Sequence, residues 1–375
     1  MKGDIMKKIN KLLVAIIIAI SQPGTCATAP GSGCGDGTVA EDERLVNAPN
    51  RDSLSGFASG ALATAQGNGI LDLPALPATS ELWALESFGP DDLQRWRHLF
   101  VHTPYFSFAY IVDLSRCASL KCIEKCAFAD CLVLKEIRFP ACLEQIGEGA
   151  FVRCERLKGI DLRHCEHLKC IEKFAFAQCR GLEEISLPAC LEQIGDFAFA
   201  YCNRLSCDQL NGIIDLSHCE RLKDIGGGAF SNCLSLEEII LPACLEQIGE
   251  CAFACCNRLK GIDLSRCERL KDIEKCAFAC CPVLEEIRLP ACLEQIRGSA
   301  FYCCPNLKRI DLSHYGHLKA IGGWAFGRCR GLEEIRLPAC LEQIRDSTFK
   351  HCPNLKGIDL SHCASLQCIE DEEEK

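Results

Sequence analysis

The stretch Leu182–Cys202 reads LEEISLPACLEQIGDFAFAYC, and Leu332–Cys352 reads LEEIRLPACLEQIRDSTFKHC. Each copy has apolar residues at its first, fourth and sixth positions, then Pro-Ala-Cys, and ends on a Phe followed three residues later by Cys. That Phe marks the other copies: Phe128, Phe151, Phe176, Phe199, Phe230, Phe253, Phe278, Phe301, Phe326 and Phe349. The intervals are 23, 25, 23, 31, 23, 25, 23, 25 and 23 residues. Two kinds of unit therefore alternate, and the single long interval is a longer unit extended near Ser206–Asn211. A fixed period in the range of about 20–29 residues marks a solenoid, in which each unit buries its apolar face only against its neighbours.

Within a unit, LKEIRFPAC from Leu134 and LKGIDLRHC from Leu157 share apolar positions 1, 4 and 6 and a Cys at position 9. Alternation at positions 4 to 6 predicts a short strand with one buried face. The following IGxxAFxxC predicts a turn and about one helical turn on the opposite side. One strand per unit, each reached by a crossover, gives a parallel sheet. The pattern L-x-x-L-x-L-x-x-N/C is that of leucine-rich repeats. More narrowly, segments such as LPACLEQIGEGAFVRC resemble the BspA-type leucine-rich repeats over roughly residues 110–370. Units reading IDLSRCERLKDI depart from that pattern, with Ser in place of Pro and two residues added. The resemblance implies an α/β repeat solenoid, arc-shaped, with one parallel sheet. It also implies a surface-exposed or secreted protein that binds other macromolecules, and no catalytic residues.

Cysteine is abundant, 32 in 375 residues. One series follows the marker Phe by three: Cys131, Cys154, Cys179, Cys202, Cys233, Cys256, Cys281, Cys304, Cys329 and Cys352. A second occupies position 9: Cys117, Cys142, Cys165, Cys190, Cys219, Cys244, Cys267, Cys292, Cys340 and Cys363, interrupted by Tyr315. Strands stacked about 4.8 Å apart would turn each series into a ladder inside the coil. The expected role is that of a small buried apolar residue whose thiol offers a weak hydrogen bond to loop carbonyls. Disulfides between rungs remain open on Cα spacing, although parallel side chains suit the S–S dihedral poorly. Zinc is disfavoured, because repeat-set ligands form lines rather than tetrahedra and no C-x-x-C pair occurs. No metal or cofactor is expected.

The outward strand positions are Asp113, Arg138, Asp161, Ser186, Asp215, Ile240, Asp263, Arg288, Asp311, Arg336 and Asp359. Neighbouring Asp and Arg can pair across strands, at roughly 0.2–1 kcal/mol each. The row either keeps a long sheet soluble and in register or forms a recognition face; both can hold. A second candidate is the irregular unit IDLSHYGHLKAIGGWAF. There Tyr315 overfills a thiol-sized slot, so its ring is expected to leave it, with Gly316 letting the backbone bend. Trp324 would then share an edge of the solenoid with it.

Ahead of the repeats, Lys2, Lys7, Lys8 and Lys11 precede the apolar run Leu12–Ile20, with Ala27 and Ala29 as cleavage candidates. Residues 1–29 thus read as a signal peptide. Met6 is an alternative start, and the residues before Cys26 depart from a lipoprotein box. Residues 30–80, rich in Gly, Ala, Ser, Pro and Asn, read as a flexible linker. Residues 81–110, with Trp83, Trp96 and several Phe, read as a helical cap for the first coil. Residues 111–370 are the repeats, about eleven strands, and 371–375 an acidic tail. The net charge is −10 without a basic stripe, which argues against nucleic acid as a partner. No Walker loop, HExxH or G-x-S-x-G occurs, and an enzyme is not expected. The expectation is an exported, non-enzymatic protein that binds a protein or cell-surface macromolecule. The rival readings are an effector or scaffold acting inside a host cell, and a structural envelope protein.

Overall fold

The computed structural model describes residues 110–205 and 213–369, with the short segments 70–71 and 87–89. Over them the chain winds as a parallel-strand solenoid whose coils have three sides. The front side carries the strands expected from the apolar spacing. In Leu134–Arg138, Leu134 and Ile137 face inward and Lys135 and Arg138 outward. A second parallel ladder runs along the flank. Its rungs are two-residue strands such as Cys122–Ile123, Gln145–Ile146 and Cys170–Ile171, paired in register with Ile over Ile. The sequence pattern predicts only one sheet, because two residues are too few to show an alternation.

The third side is the Ala-Phe turn. The helical turn expected there does not form, and no helix occurs among the described residues. The residues two before and two after each marker Phe lie in the left-handed region. Around Phe128 they are Cys126 (φ 57°) and Asp130 (φ 60°), and around Phe301 they are Ser299 and Cys303, each at φ 57°. A left-handed L-residue breaks a right-handed helix and costs on the order of 1–2 kcal/mol. The conformation is held because it turns three amides of each coil onto the next. Cys126 N–H donates to Glu148 O (3.0 Å), Phe128 N–H to Ala150 O (2.7 Å) and Asp130 N–H to Val152 O (2.9 Å). Backbone satisfaction between coils thus replaces satisfaction within a helix.

Inside, the ten marker phenylalanines stack face to face from Phe128 to Phe349, with centroids 5.0–5.9 Å apart. Leu and Ile from the front and flank strands complete a continuous core. Close stacking has a steric condition at the Ile-Gly step. A Cβ on Gly195 would lie 2.6 Å from the backbone N of Lys173 one coil below.

The front ladder is less regular. Beyond Glu184–Ser186 it consists of two-stranded couples: 213–215 with 238–240, 261–263 with 286–288, and 309–311 with 334–336. Consecutive couples are not joined by strand pairing. At the N-terminal end, Ile70–Leu71 adds to the front ladder and Ser87–Phe88 to the flank ladder. These two segments are strand within the spans read as linker and cap. Apart from Gly89 and Tyr110, the rest of those spans, the signal-peptide segment, Ser206–Asn211 and the acidic tail lie outside the described residues.

Candidate recognition face

The front strands end in one local device. Asp Oδ1 accepts the backbone N–H two residues on, as in Asp113–Ser115 (3.0 Å), Asp215–Ser217 (2.8 Å), Asp263–Ser265 (2.9 Å), Asp311–Ser313 (3.0 Å) and Asp359–Ser361 (2.9 Å). Such Asx turns terminate the strand. Half of each carboxylate is therefore structural, leaving Oδ2 outward. Strand register then places an Arg beside it in three couples: Arg138 Nη1 to Asp113 (3.3 Å), Arg288 to Asp263 (3.6 Å) and Arg336 to Asp311 (3.7 Å). The serine hydroxyl and amide, followed by the neighbouring Arg, hold the Asp263 and Asp311 carboxyls below their ordinary range, against burial. For Asp113, burial pushes upward, but Ser115 and Arg138 together prevail and the net shift is downward. Exposed pairs of this kind contribute about 0–1 kcal/mol.

The row changes in its middle. Asp161 is in register with Ser186, and Asp215 with Ile240. Asp161 turns to its own Arg163 (2.7 Å). Among the described residues no cation pairs with Asp215, and Ile240 is 39% exposed. Ile240 and Glu238 line a groove of about 700 Å³ at the unpaired step between 238–240 and 261–263, whose far wall carries Gly261, Asp263, Glu286 and Arg288. A second groove, of about 1110 Å³, shares Ala243 and Arg266 with the first. It carries charges of both signs, including Glu220, Arg221, Glu268 and Arg269. The two adjoin, and Glu192, from the coil before the six-residue extension, also lines the second. Asp359, the last member of the row, lies in a segment without strand structure.

Tyr315 and Trp324 are not brought together. The Tyr315 ring stays in its slot, half-buried against the main core. Its hydroxyl meets the Leu289 backbone, donating to O (3.3 Å) and accepting from N–H (3.2 Å). The expectation that the ring leaves is overturned because the phenol reaches past the thiol position and finds a backbone partner. Gly316 plays no part, since a Cβ there would meet nothing within 4 Å. Trp324 belongs to a separate cluster on the turn side, edge-on to Tyr302 at 5.9 Å.

The cysteine series resolve into three geometries. In the series after Phe, each thiol from Cys154 to Cys352 donates to the carbonyl of the Phe one coil before it. Examples are Cys154 to Phe128 O (3.2 Å), Cys256 to Phe230 O (3.3 Å) and Cys329 to Phe301 O (3.2 Å). Cys131, at the head of the series, is partly buried. At position 9, the Pro-Ala-Cys units place Cys142, Cys190, Cys244, Cys292 and Cys340 between two carbonyls of the preceding loop, as in Cys244 to Cys219 O (3.5 Å) and Leu222 O (3.1 Å). The alternate units bury Cys117, Cys165, Cys219, Cys267 and Cys363, where Cys165 reaches Pro140 O (3.5 Å). Burial pushes the Cys117 thiol up to about 11 and those of Cys165, Cys219 and Cys233 up to about 12. Such thiols are protonated at neutral pH and poorly reactive. Among the described residues no group of three or more His, Cys, Asp or Glu is arranged to hold a metal. His164 Nε2 and His362 Nε2 instead sit 2.8 Å from the carbonyls of Phe139 and Leu337.

Three features of the coil lie outside the reading of the residues: the flank ladder, the left-handed pair around each Phe, and a further set of cysteines on the turn side. The last two share a visible signal. Residues two before and two after Phe include Cys126, Cys251, Cys255, Cys276, Cys280 and Cys303.

Comparison with known proteins places the chain. The BspA-type leucine-rich repeat model matches in six copies over residues 103–219 and 223–356, and the chain belongs to that family. No similar sequence was found among curated proteins. Solved structures with a similar fold include a leucine-rich repeat protein from Bacteroides ovatus, at 24% identity over 72% of this chain and 84% of that one (TM-score 0.48). Others are a leucine-rich cell-surface protein from Faecalibacterium prausnitzii (22%, 69% and 85%, TM-score 0.33) and a leucine-rich repeat protein of T. pallidum (24%, 54% and 80%, TM-score 0.39).

Proposed function

We propose that this BspA-type leucine-rich repeat chain is an exported, non-enzymatic protein that binds a macromolecular partner through the front of the solenoid. The family membership supports protein binding in general terms. The observation that carries the location is the interruption of the Asp–Arg row at Asp215 and Ile240, beside the groove lined by Glu238, Asp263 and Glu286. An exposed apolar side chain stands here in a groove whose carboxylates, Glu237, Glu238, Asp263, Glu285 and Glu286, outnumber its cations, Lys260, Arg266 and Arg288. The arrangement fits a basic partner segment with one apolar anchor, and apolar anchors in pockets carry most of the energy of such contacts. The lysine-headed apolar N-terminus supports export, and no helix among the described residues is long and apolar enough to cross a membrane.

The experiment has two arms. Fractionation of expressing cells is expected to recover the chain outside the cytoplasm, without its first residues. Cross-linking and pull-down from cell-surface fractions are expected to give a salt-sensitive partner that Ile240→Asp and Glu238→Lys each lose and that Arg138→Ala keeps. Retention of the partner by the Ile240 and Glu238 variants would remove the front groove as the site. Recovery of the full-length chain in the cytoplasm would favour the intracellular scaffold reading.

A further inference from the structure

The turn side carries a second population of cysteines that the core ladders do not explain. Cys251 and Cys276 occupy the same left-handed position, two residues before Phe253 and Phe278, at φ 57° and 55°. Left-handed positions favour Gly, Asn and Asp, and this position is Gly in two coils, Gly149 and Gly228. Nothing in the backbone calls for cysteine there, since Phe, Ser and Trp hold the same position in other coils, as in Phe174, Ser299 and Trp324.

Coil stacking brings the two residues into register. Cys251 N–H donates to Lys275 O (2.9 Å), Phe253 N–H to Ala277 O (2.8 Å) and Cys276 N–H to Gly298 O (3.1 Å), locking adjacent turns one above the other. Stacked rungs lie about 4.8 Å apart, within the Cα separation that disulfides use, roughly 4.4–6.8 Å. The pair packs in a small cluster with Ala254, Ala279 and Tyr302, apart from the main core. Both side chains belong to that one cluster, and each acts on the other's proton. Core thiols differ: those of the series after Phe donate to Phe carbonyls of the coil before, which holds them in place, as in Cys256 and Cys281.

We propose that Cys251 and Cys276 form an oxidisable dithiol on the turn side, converted by a peroxide to an inter-coil disulfide. Cys276 is the attacking sulfur. The neighbouring Cys251 and Ser299 side chains and the Lys275 charge together lower its thiol against burial and Glu250. Cys251 is the resolving thiol, and its own proton is held more tightly by the neighbouring Cys276 and by burial. In the first step the Cys276 thiolate takes one oxygen from the peroxide ROOH, giving Cys276–SOH, and ROH leaves after taking up one proton. In the second, Cys251 sulfur displaces that oxygen as water, forming the S–S bond. Two thiols lose two electrons in all, and one peroxide is reduced to ROH and water. Both residues are only 3–4% exposed, which selects a water-sized oxidant.

The test is native treatment of the reduced protein with stoichiometric hydrogen peroxide, followed by denaturation, alkylation of remaining thiols, digestion and mass spectrometry. The expected first product has lost the mass of two hydrogens and yields a dithiothreitol-sensitive peptide joining Cys251 to Cys276, with core cysteines alkylated. Cys251→Ser is expected to leave a sulfenic acid at Cys276 that dimedone traps. Cys276→Ser is expected to abolish the early product. Serine already stands at this position in Ser299 and Ser347, both left-handed, so the variant has a precedent for folding. The proposal is overturned if the first cross-link joins other cysteines, such as Cys255 with Cys280. It is equally overturned if the pair stays reduced while the peroxide is consumed, or if Cys276→Ser oxidises as fast as the natural chain.

Discussion

The turn side and the front side of this solenoid are written by the same repeat and behave differently. On the turn side the Phe stack runs unbroken, and across the six-residue extension the Phe199–Phe230 spacing is still 5.3 Å. On the front, strand pairing lapses after every second unit from Glu184–Ser186 onward. The rise per coil is therefore set on the turn side, by ring stacking and the three inter-coil amides. The front strands follow that rise and are free to vary. Rigidity and variability sit on opposite sides of one coil, as expected where one surface supports and another recognises.

The comparison predicts unequal costs. The largest is expected for Phe230→Ala, which removes a fully buried ring from mid-stack. A loss of about 3–5 kcal/mol is the usual range for a buried Phe, and chemical denaturation should then show two transitions instead of one. A single transition at the natural midpoint would mean the stack does not set the rise.

A smaller effect is expected on the flank. Asp224 pairs in register with Gln193 and Gln247. Burial raises its carboxyl above the ordinary 3.8, with Asp196 adding to the rise and a hydrogen bond from Gln193 opposing it. A raised carboxyl favours folding fully when protonated, below 3.8. That contribution is lost as pH climbs through the raised value, so at neutral pH Asp224 destabilises. Asp224→Asn should raise the melting temperature at pH 7 and flatten the acidic part of the stability profile. An unchanged profile would show the carboxylate to be well solvated.

The smallest is on the front. A double-mutant cycle of Asp311→Ala and Arg336→Ala should give a coupling of about 0–1 kcal/mol that disappears in high salt. A larger, salt-resistant coupling would make the front row a structural element after all.

Much of this was legible in the residues. The Phe intervals located every coil, and position 9 located its Cys series, because repetition multiplies a weak local signal. The Asp–Arg neighbours were legible for the same reason: strand register maps equal unit positions onto each other. The turn conformation was not. Ala-Phe-x-x-Cys has no Gly or Asn in most copies, and the left-handed residues are imposed by hydrogen bonds to the next coil, which a local reading does not see. Tyr315 was misread because slot volume alone was weighed, without the backbone partner at Leu289 that its hydroxyl reaches.

The interruption at Asp215 and Ile240 has a consequence of another kind. A row of Asp and Arg recurring every two coils, about 10 Å apart, is a ruler with identical marks. A charged partner laid along it would find several equivalent alignments and could shift between them at little cost. Ser186 and Ile240 both break the Asp–Arg repeat, and of the two only Ile240 offers an exposed apolar side chain. A partner carrying an apolar side chain at the matching place would have a single phase, and its position along the array would be fixed by one residue, with the remaining charges adding strength and no address.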